Sequence, residues 1–136
     1  MKKSDREIVF NKFGGKCAYC GCELTKGWHV DHLESVGRYK KYLKDENGDR
    51  IWCDIKRDYK IKQVLTNPEN DHINNYMPAC ASCNIAKSSM SLESFRKVIY
   101  GFLNSLNLYH NQYKFAKRYG LVEETNKPVI FYFESI

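Results

Sequence analysis

Apolar residues recur along much of this chain at the spacing of helices. Near the N-terminus, the capping box that starts at Ser4 and the apolar residues after it predict a short helix ending at Gly14. From Ser91 to Leu106, apolar residues recur every three or four positions, which predicts an amphipathic helix with its stripe in the core. A further helical stretch covers about residues 109–119, and Gly120 is placed to end it.

Other segments have the pattern of strands. Residues 28–33 alternate, residues 76–79 form a short strand that leads into a cysteine pair, and residues 129–133 follow Pro128 as a C-terminal strand. Residues 36–65 have no clear period. The chain is therefore expected to be an α+β protein, in which helices flank a small strand core.

The size and composition of the chain narrow its class. Its 136 residues fit one domain, and a chain with 43% hydrophobic and 14% aromatic residues is too apolar to be disordered. No uncharged stretch approaches the apolar run of about 20 residues that a membrane span needs, and no apolar segment follows the basic N-terminal residues as in a secretory signal. We therefore expect a cytoplasmic protein with no membrane partner.

Positive charge is concentrated in residues 36–65. The whole chain has 22 Lys and Arg against 16 Asp and Glu, a net charge of +6, and this tract holds nine of the basic and five of the acidic residues, so 9 − 5 gives +4. Tyrosine and tryptophan residues are interleaved with the charges. The tract therefore predicts contact with DNA, with Arg38, Lys40, Lys41 and Arg57 as candidate contacts. A solvated loop packed by its own aromatic residues is the alternative.

Six cysteines give the strongest indication of a metal. Four of them form two Cys-x-x-Cys pairs, Cys17 with Cys20 and Cys80 with Cys83, and 59 residues lie between the pairs. Each pair can turn two sulfur atoms toward one ion, and two pairs supply the tetrahedral thiolate set that suits a structural Zn²⁺. Such a closed site has no free coordination position, so the metal would stabilise the fold. Buried or redox-active cysteines are the alternative, and disulfides are disfavoured without an export signal.

Cys22 and Cys53 remain outside these pairs. The simplest interpretation is that both are small, buried or half-buried residues. A ligand role stays open for Cys22, because a slip of register could let it replace Cys20.

Residues with oxygen and nitrogen ligands lie close to the cysteine pairs. Asp31 and His32 are on the strand that follows the first pair, and Asn84 directly follows the second. If both pairs meet at one ion, these segments come side by side, and Asp31 and Asn84 offer oxygen atoms to a hard cation such as Mg²⁺. The imidazole of His32 suits a general base near neutral pH. Strand alternation would place Asp31 and His32 on opposite faces, unless the strand ends or twists there.

This arrangement resembles the HNH endonucleases, which have a ββα-metal fold. The matching segments are Cys17-x-x-Cys20, Val30-Asp31-His32-Leu33, Asn75, and Cys80-x-x-Cys83-Asn84-x-x-Lys87. The resemblance implies a single domain over residues 1–136, with a zinc-stapled core at 15–90, a basic insertion at about 36–70 and a helical and strand extension at 91–136. The extension looks similar to the tails of small phage and prophage HNH proteins, which implies a bacterial or phage-infected host cell.

The resemblance also implies an activity, the metal-dependent hydrolysis of double-stranded DNA to 5′-phosphate and 3′-hydroxyl ends. The family's signature positions fall on His32, Asn75 and Asn84. By resemblance, His32 activates water and Asn75 orients the loop or the imidazole of His32. Asp31 and Asn84 would hold a catalytic Mg²⁺ or Mn²⁺. Lys87, one helical turn beyond Asn84, could reach a phosphate group.

Two features depart from the family's pattern. Family members usually place the Asp-His pair close to the middle Asn, whereas here 42 residues separate His32 from Asn75. A rival pair, Asp71-His72, lies just before Asn75, but the two residues between His72 and Asn75 are too few for a loop and a return strand. Two functions without catalysis also remain open, a zinc-ribbon module that binds nucleic acid and an interaction scaffold inside a larger assembly.

Overall fold

Four helices and six short strands make up the fold. The computed structural model describes residues 1–136. In chain order the elements are α1 (Lys3–Asn11), β1 (His29–His32), β2 (Arg38–Tyr42), β3 (Trp52–Cys53), β4 (Asp58–Tyr59), β5 (Ile61–Leu65), β6 (Tyr76–Ala79), α2 (Ala81–Lys87), α3 (Leu92–Tyr109) and α4 (Asn111–Arg118). The expected α+β class is confirmed in this form, as helices combined with small antiparallel sheets. No helix is long and apolar enough to cross a membrane.

The strands β1 and β6 and the helix α2 form the centre of the molecule. β1 pairs with β6 in antiparallel register, which places Asp31 opposite Met77 and His32 opposite Tyr76. β6 leads into α2, where Cys80 is the N-cap and its sulfur accepts a hydrogen bond from the backbone N–H of Cys83 at 3.4 Å. α2 then packs against β1 and α3. Residues from both ends of the 15–90 segment therefore meet at one place.

Residues 36–65, which have no clear period in the sequence, form paired strands. β2 pairs with β5 along its whole length, and β3 pairs with β4 at the far end. Both faces of these strands are in contact with solvent, since no residue from 38 to 65 is buried. The usual alternation of apolar and polar residues comes from burying one face of a sheet. Without a buried face, the sequence carried no strand signal.

The core is small and largely aromatic. Only 13 of the 136 residues are buried, so packing alone gives this chain limited stability. The rings of Phe95 on α3 and Phe131 near the C-terminus stack at 5.4 Å, and the ring of Tyr19 meets both edge-on. Met77 on β6 completes the cluster next to Cys17. The core therefore links the helical C-terminal part to the cysteine-rich centre.

The prediction of a C-terminal strand over residues 129–133 was wrong. This segment has no strand, and a single 3₁₀ turn covers Tyr132–Glu134. Two of its backbone N–H groups donate to the first cysteine turn, Tyr132 to the carbonyl of Tyr19 at 3.0 Å and Phe133 to that of Ala18 at 2.9 Å. Glu134 then accepts a hydrogen bond from the backbone N–H of Phe131 at 2.9 Å, which closes the turn. Phe131 of this apolar run is buried by aromatic packing and not by sheet pairing, whereas Ile130 is exposed.

The predicted helices are present, with changes at their ends. α1 begins at Lys3, and Asp5, not Ser4, accepts the terminal hydrogen bond, from the backbone N–H of Lys2 at 3.4 Å. Ser91 caps α3 as its side chain accepts from the N–H of Ser94 at 3.2 Å. The apolar stripe of α3 is only partly in the core, because Phe95 is buried whereas Phe102 is half exposed.

Candidate functional site

Five of the six cysteines gather around one point between the first cysteine turn and the start of α2. The sulfur atoms of Cys17, Cys20, Cys22 and Cys80 all lie within 4.8 Å of one another. The sulfur atoms of Cys20 and Cys80, which come from the two separate pairs, are 3.9 Å apart. Four thiols at this spacing are a set that could hold a metal ion such as Zn²⁺.

Cys83 contributes a fifth thiol on another side of the same cluster. Its thiol donates to the sulfur of Cys17, and this contact lowers the pKa of Cys17 to about 4 and raises the pKa of Cys83. The contact with Cys20 raises the pKa of Cys22 to about 12. The close set of four thiols therefore contains Cys22, which had no role in the main interpretation of the sequence, in place of Cys83, which was expected as a zinc ligand. Cys53 lies on β3, away from these thiols.

The first cysteine turn depends on a glycine. Gly21 has a φ of +73°, and its N–H donates to the carbonyl of Cys17 at 2.9 Å, which bends the chain so that Cys17 and Cys20 face the same point. A β-carbon at this position would come within 2.9 Å of the Tyr132 ring. The C-terminal turn therefore packs directly on the glycine that shapes the thiol cluster.

A polar cleft opens beside β1 and the C-terminal half of α2. It has a volume of about 460 Å³, and its lining includes Asp31, His32, Arg38 and Asn84. Asp31 and His32 both reach it although they are neighbours on a strand, because His32 is the last residue of β1. The structure thus brings together three of the residues expected at a catalytic centre, from segments that are far apart in the sequence.

The two oxygen atoms of the Asp31 carboxylate differ in their surroundings. Oδ2 accepts a short hydrogen bond from the Tyr19 hydroxyl and lies 3.0 Å from Nζ of Lys87. Burial raises the pKa of Tyr19, and the Asp31 carboxylate adds to this effect. Oδ1 has no hydrogen-bond partner in the protein. Since no buried polar side-chain atom lacks a partner, Oδ1 is in contact with solvent.

Lys87 does not occupy the surface position expected of a phosphate contact, so that prediction was wrong. Its side chain is completely buried, and Nζ donates to the His32 carbonyl at 2.8 Å in addition to pairing with Asp31. Lysine is almost never fully buried unless its charge is paired, and Asp31 supplies the partner. The pair locks the end of α2 onto β1.

His32 is held in place by a residue that the sequence interpretation had given another role. Its Nε2 is 2.9 Å from Oδ1 of Asp71, and its ring meets the ring of Tyr76 edge-on at 5.1 Å. The Tyr76 hydroxyl donates to the same Asp71 oxygen at 2.7 Å. Hydrogen bonds from His32 and then Tyr76 lower the pKa of Asp71. Asp71 therefore positions the imidazole of His32, and its side chain makes no hydrogen bond to His72.

These contacts decide which ring nitrogen of His32 is basic. An ionised carboxylate can only accept hydrogen bonds, so Nε2 of a neutral His32 carries the hydrogen. Nδ1 then keeps its lone pair. Because the imidazole lines the cleft and is 19% exposed, it has a nitrogen able to take a proton from a bound molecule.

Asn75 closes the loop that connects β1 to β2. Its amide nitrogen donates to the carbonyls of Glu34 and Asn70, each at 2.8 Å, and its oxygen accepts from the N–H of Glu34 at 2.9 Å. The side chain makes no hydrogen bond to His32. Of the two roles expected for Asn75, orienting the loop or orienting the imidazole, the geometry therefore favours the loop.

The four basic residues expected to contact DNA have different positions. Arg38 lines the cleft, whereas Lys40 and Lys41 follow it along the exposed strand β2. Arg57 does not line the cleft and lies in the turn between β3 and β4, where its φ is +50°. Only Arg38 is thus part of the cleft itself.

Comparison with known proteins finds no relative of this chain. No family model matches the chain, and neither a curated protein nor a solved structure matches it.

Proposed function

We propose that this chain is a metal-dependent DNA endonuclease that hydrolyses phosphodiester bonds. The observation that carries the proposal is the convergence of Asp31, His32 and Asn84 on one polar cleft, beside a cluster of thiols that could hold a metal. An oxygen ligand, a base and a carboxamide from separate segments are the groups that phosphodiester hydrolysis requires. The order of β1, β6 and α2 supports the resemblance to the ββα-metal fold of HNH endonucleases.

In this function His32 is the general base. Nδ1 takes a proton from a water molecule, and the oxygen of that water attacks phosphorus in line with the leaving 3′ oxygen. The bond between phosphorus and the 3′ oxygen breaks, and the 3′ oxygen takes a proton from a solvent water molecule, which leaves 5′-phosphate and 3′-hydroxyl ends. Asp71 keeps the hydrogen on Nε2, and it stabilises the imidazolium that forms when Nδ1 is protonated. A positioned base of this kind contributes about 10²–10⁴-fold to the rate.

The residues of the cleft fit a hard divalent cation. Asp31 Oδ1 is open to solvent, and Asn84 lines the same cleft with a carboxamide oxygen. Both are ligands that Mg²⁺ and Mn²⁺ accept, with water and phosphate oxygens filling the other positions. When bound, such an ion offsets negative charge on the phosphate and on the leaving oxygen. The thiol cluster, in contrast, supplies only sulfur and suits a structural Zn²⁺.

Nicking of a supercoiled plasmid in the presence of Mg²⁺ or Mn²⁺ tests the proposal. His32→Ala is expected to lose about 10²–10⁴-fold in rate and to keep DNA binding. His72→Ala is the matched control, because His72 is an exposed histidine of the same region that has no contact with the cleft. Undiminished nicking by His32→Ala would remove this residue from the mechanism. Mapping of the product ends tests the predicted 5′-phosphate.

One contact favours a second candidate, a zinc-ribbon module that binds nucleic acid without cleaving it. The ammonium group of Lys87 lies 3.0 Å from Asp31 Oδ2 and already neutralises the carboxylate. The thiol cluster and the net charge of +6 fit this function equally well. Binding of DNA with no nicking in either Mg²⁺ or Mn²⁺ would favour it over the nuclease.

A further inference from the structure

Residues 38–65 form an arm that extends from the mouth of the polar cleft. β2 and β5 are its two long strands, and backbone bonds from Leu43 to Lys60 and from Ile51 to Leu43 continue the pairing toward β3 and β4. None of its residues is buried, so the body of the protein covers neither face. We call this segment the ribbon arm. A two-stranded ribbon without a core of its own is only marginally stable in water, so a binding partner would stabilise it.

The charge of the ribbon arm indicates what kind of partner it binds. The arm has nine basic and five acidic residues, a net charge of 9 − 5 = +4. The rest of the chain has 13 basic and 11 acidic residues, so 13 − 11 leaves only +2. An exposed segment with this excess of positive charge favours a polyanionic partner over an apolar one.

The strand register divides the basic residues of the arm between two faces. Side chains alternate along a strand, and directly opposed residues share a face. Arg38, Lys40 and Tyr42 therefore lie on one face with their partners Leu65, Gln63 and Ile61, and Tyr39 and Lys41 lie on the other with Val64 and Lys62. We call the face with Arg38 the cleft face, since Arg38 also lines the polar cleft.

On the cleft face, positive groups continue from the cleft toward the tip of the arm. Lys40 follows Arg38 at two strand positions, about 7 Å further along. Beyond it, the guanidinium of Arg50 lies over the ring of Tyr42 at 4.1 Å, a stacked position that orders its charge. A nucleic acid whose backbone enters the cleft therefore meets Arg38, Lys40 and Arg50 in succession.

We propose that the ribbon arm lies in the major groove of double-stranded DNA, with its cleft face toward the nucleic acid. The substrate class rests on the proposed nuclease function, and the choice of groove rests on dimensions. Strands are about 4.8 Å apart, and the major groove of B-form DNA, about 12 Å wide, admits a two-stranded ribbon. The corresponding groove of duplex RNA is too deep and narrow for side chains to read. The arm thereby holds the duplex while its backbone occupies the cleft.

Adjacent lysines on opposite faces provide the test. Lys40→Glu and Lys41→Glu change the net charge equally, at neighbouring exposed positions of β2. Binding of a short DNA duplex is measured by fluorescence anisotropy at several salt concentrations, without added divalent ions. We expect Lys40→Glu to weaken binding at least about tenfold and to reduce the slope of log K against log salt by about one. Lys41→Glu should change affinity less than about threefold, with unchanged circular dichroism for both variants.

The groove is tested by methylating the DNA before binding. A methyl group on guanine N7 occupies the major groove, and we expect it to interfere with binding, whereas methylation of adenine N3 in the minor groove should not. Equal losses for the two lysine variants, interference from the minor groove alone, or tighter binding of duplex RNA would overturn the proposal. Because no cleavage is read, a chain without nuclease activity still gives a valid result. If the Lys40→Glu variant binds DNA as tightly as wild type and nicks it normally, the proposed role of the ribbon arm in DNA binding is rejected. The proposed nuclease function is then unaffected.

Discussion

The Asp31 carboxylate combines a structural contact with a free ligand atom. Oδ2 is held by Tyr19 and Lys87, and Oδ1 is in contact with solvent. A buried charge pair of this kind contributes little net stability when intact, but removal of one partner leaves an uncompensated charge. The charge of Lys87 therefore offsets the free energy needed to keep the Asp31 carboxylate nearly buried.

Replacement of Lys87 by methionine should destabilise the protein strongly. Lys87→Met keeps the length of the side chain and removes the charge that faces Asp31, so we expect the free energy of unfolding to fall by about 3–5 kcal/mol. Urea denaturation gives the value. Lys97→Met, at an exposed position of α3, is the control and should stay within about 0.5 kcal/mol of wild type. A similarly small change at Lys87 would mean that the pair does not form in solution.

Asp71 should affect catalysis through His32 and not through substrate binding. Asp71→Asn keeps a polar side chain but loses the charge, and its amide can donate to Nε2 and so favour the wrong tautomer. We expect kcat to fall at least about tenfold and KM to stay unchanged. The loss should not exceed the 10²–10⁴-fold that the positioned base contributes as a whole. Steady-state nicking rates give both constants. Glu69→Gln removes an exposed carboxylate of the same loop and should change neither, whereas a pure KM effect at Asp71 would contradict a positioning role.

At the level of elements, α3 and α4 are joined by one carboxylate. Asn107 on α3 and Tyr113 and Lys117 on α4 all direct a polar atom to Oε1 of Glu124, at distances from 2.5 to 3.0 Å. The hydrogen bond from Asn107 is the largest cause that lowers the pKa of Glu124, to about 2, and Lys117 and Tyr113 add to it. The helical hairpin therefore depends on an ionised Glu124.

The stability of this hairpin should decrease in acid. The folded pKa of Glu124 lies below its ordinary value of 4.5, so its contribution is complete above pH 4.5 and is lost as the pH falls toward about 2. Loss in acid of a metal held by the thiol cluster would affect both proteins alike, so the measured quantity is the difference in thermal midpoint between wild type and Glu124→Gln. We expect this difference to be largest at neutral pH and to vanish in acid. A difference that does not vary with pH would show that the charge has no role.

The elements also show what the sequence could and could not predict. α3 was predictable because its apolar stripe is partly buried, with Phe95 in the core, so that apolar spacing records the helical period. α4 has no buried residue, and Gly120 just beyond it was its clearest signal. The ribbon arm was not predictable, since it buries neither face. The partnership of Lys87 with Asp31 left no trace either, because it depends on α2 crossing β1. In contrast, Asp31, His32 and Asn84 were correctly expected to meet, since the spacing of the two cysteine pairs predicts that their flanking segments converge.

For the molecule as a whole, the thiol cluster replaces much of the core that a chain of this length would otherwise need. Only 13 residues are buried, and several of them, including Cys17, Ala18 and Ala79, lie next to the cluster itself. The first cysteine turn, β6 and the C-terminal turn share one small core cluster, and the thiols of Cys80 and Cys83 at the start of α2 pack against it. Without a metal, the thiols of the cluster would join these segments only through hydrogen bonds of sulfur, which are weak.

Removal of the metal should therefore unfold the domain and not merely loosen it. A structural Zn²⁺ contributes about 10–16 kcal/mol in small peptides, which is comparable to the 5–15 kcal/mol of total stability that a domain usually has. We expect a strong chelator to abolish the cooperative thermal transition, and Cys80→Ser to reproduce this loss without the chelator. Cys53→Ser is the matched control, because Cys53 lies on β3 outside the cluster and should leave both the zinc content and the melting temperature unchanged. Equal melting curves with and without the chelator would mean that packing alone holds the cleft residues together, and the thiol cluster would then have no part in positioning Asp31, His32 and Asn84.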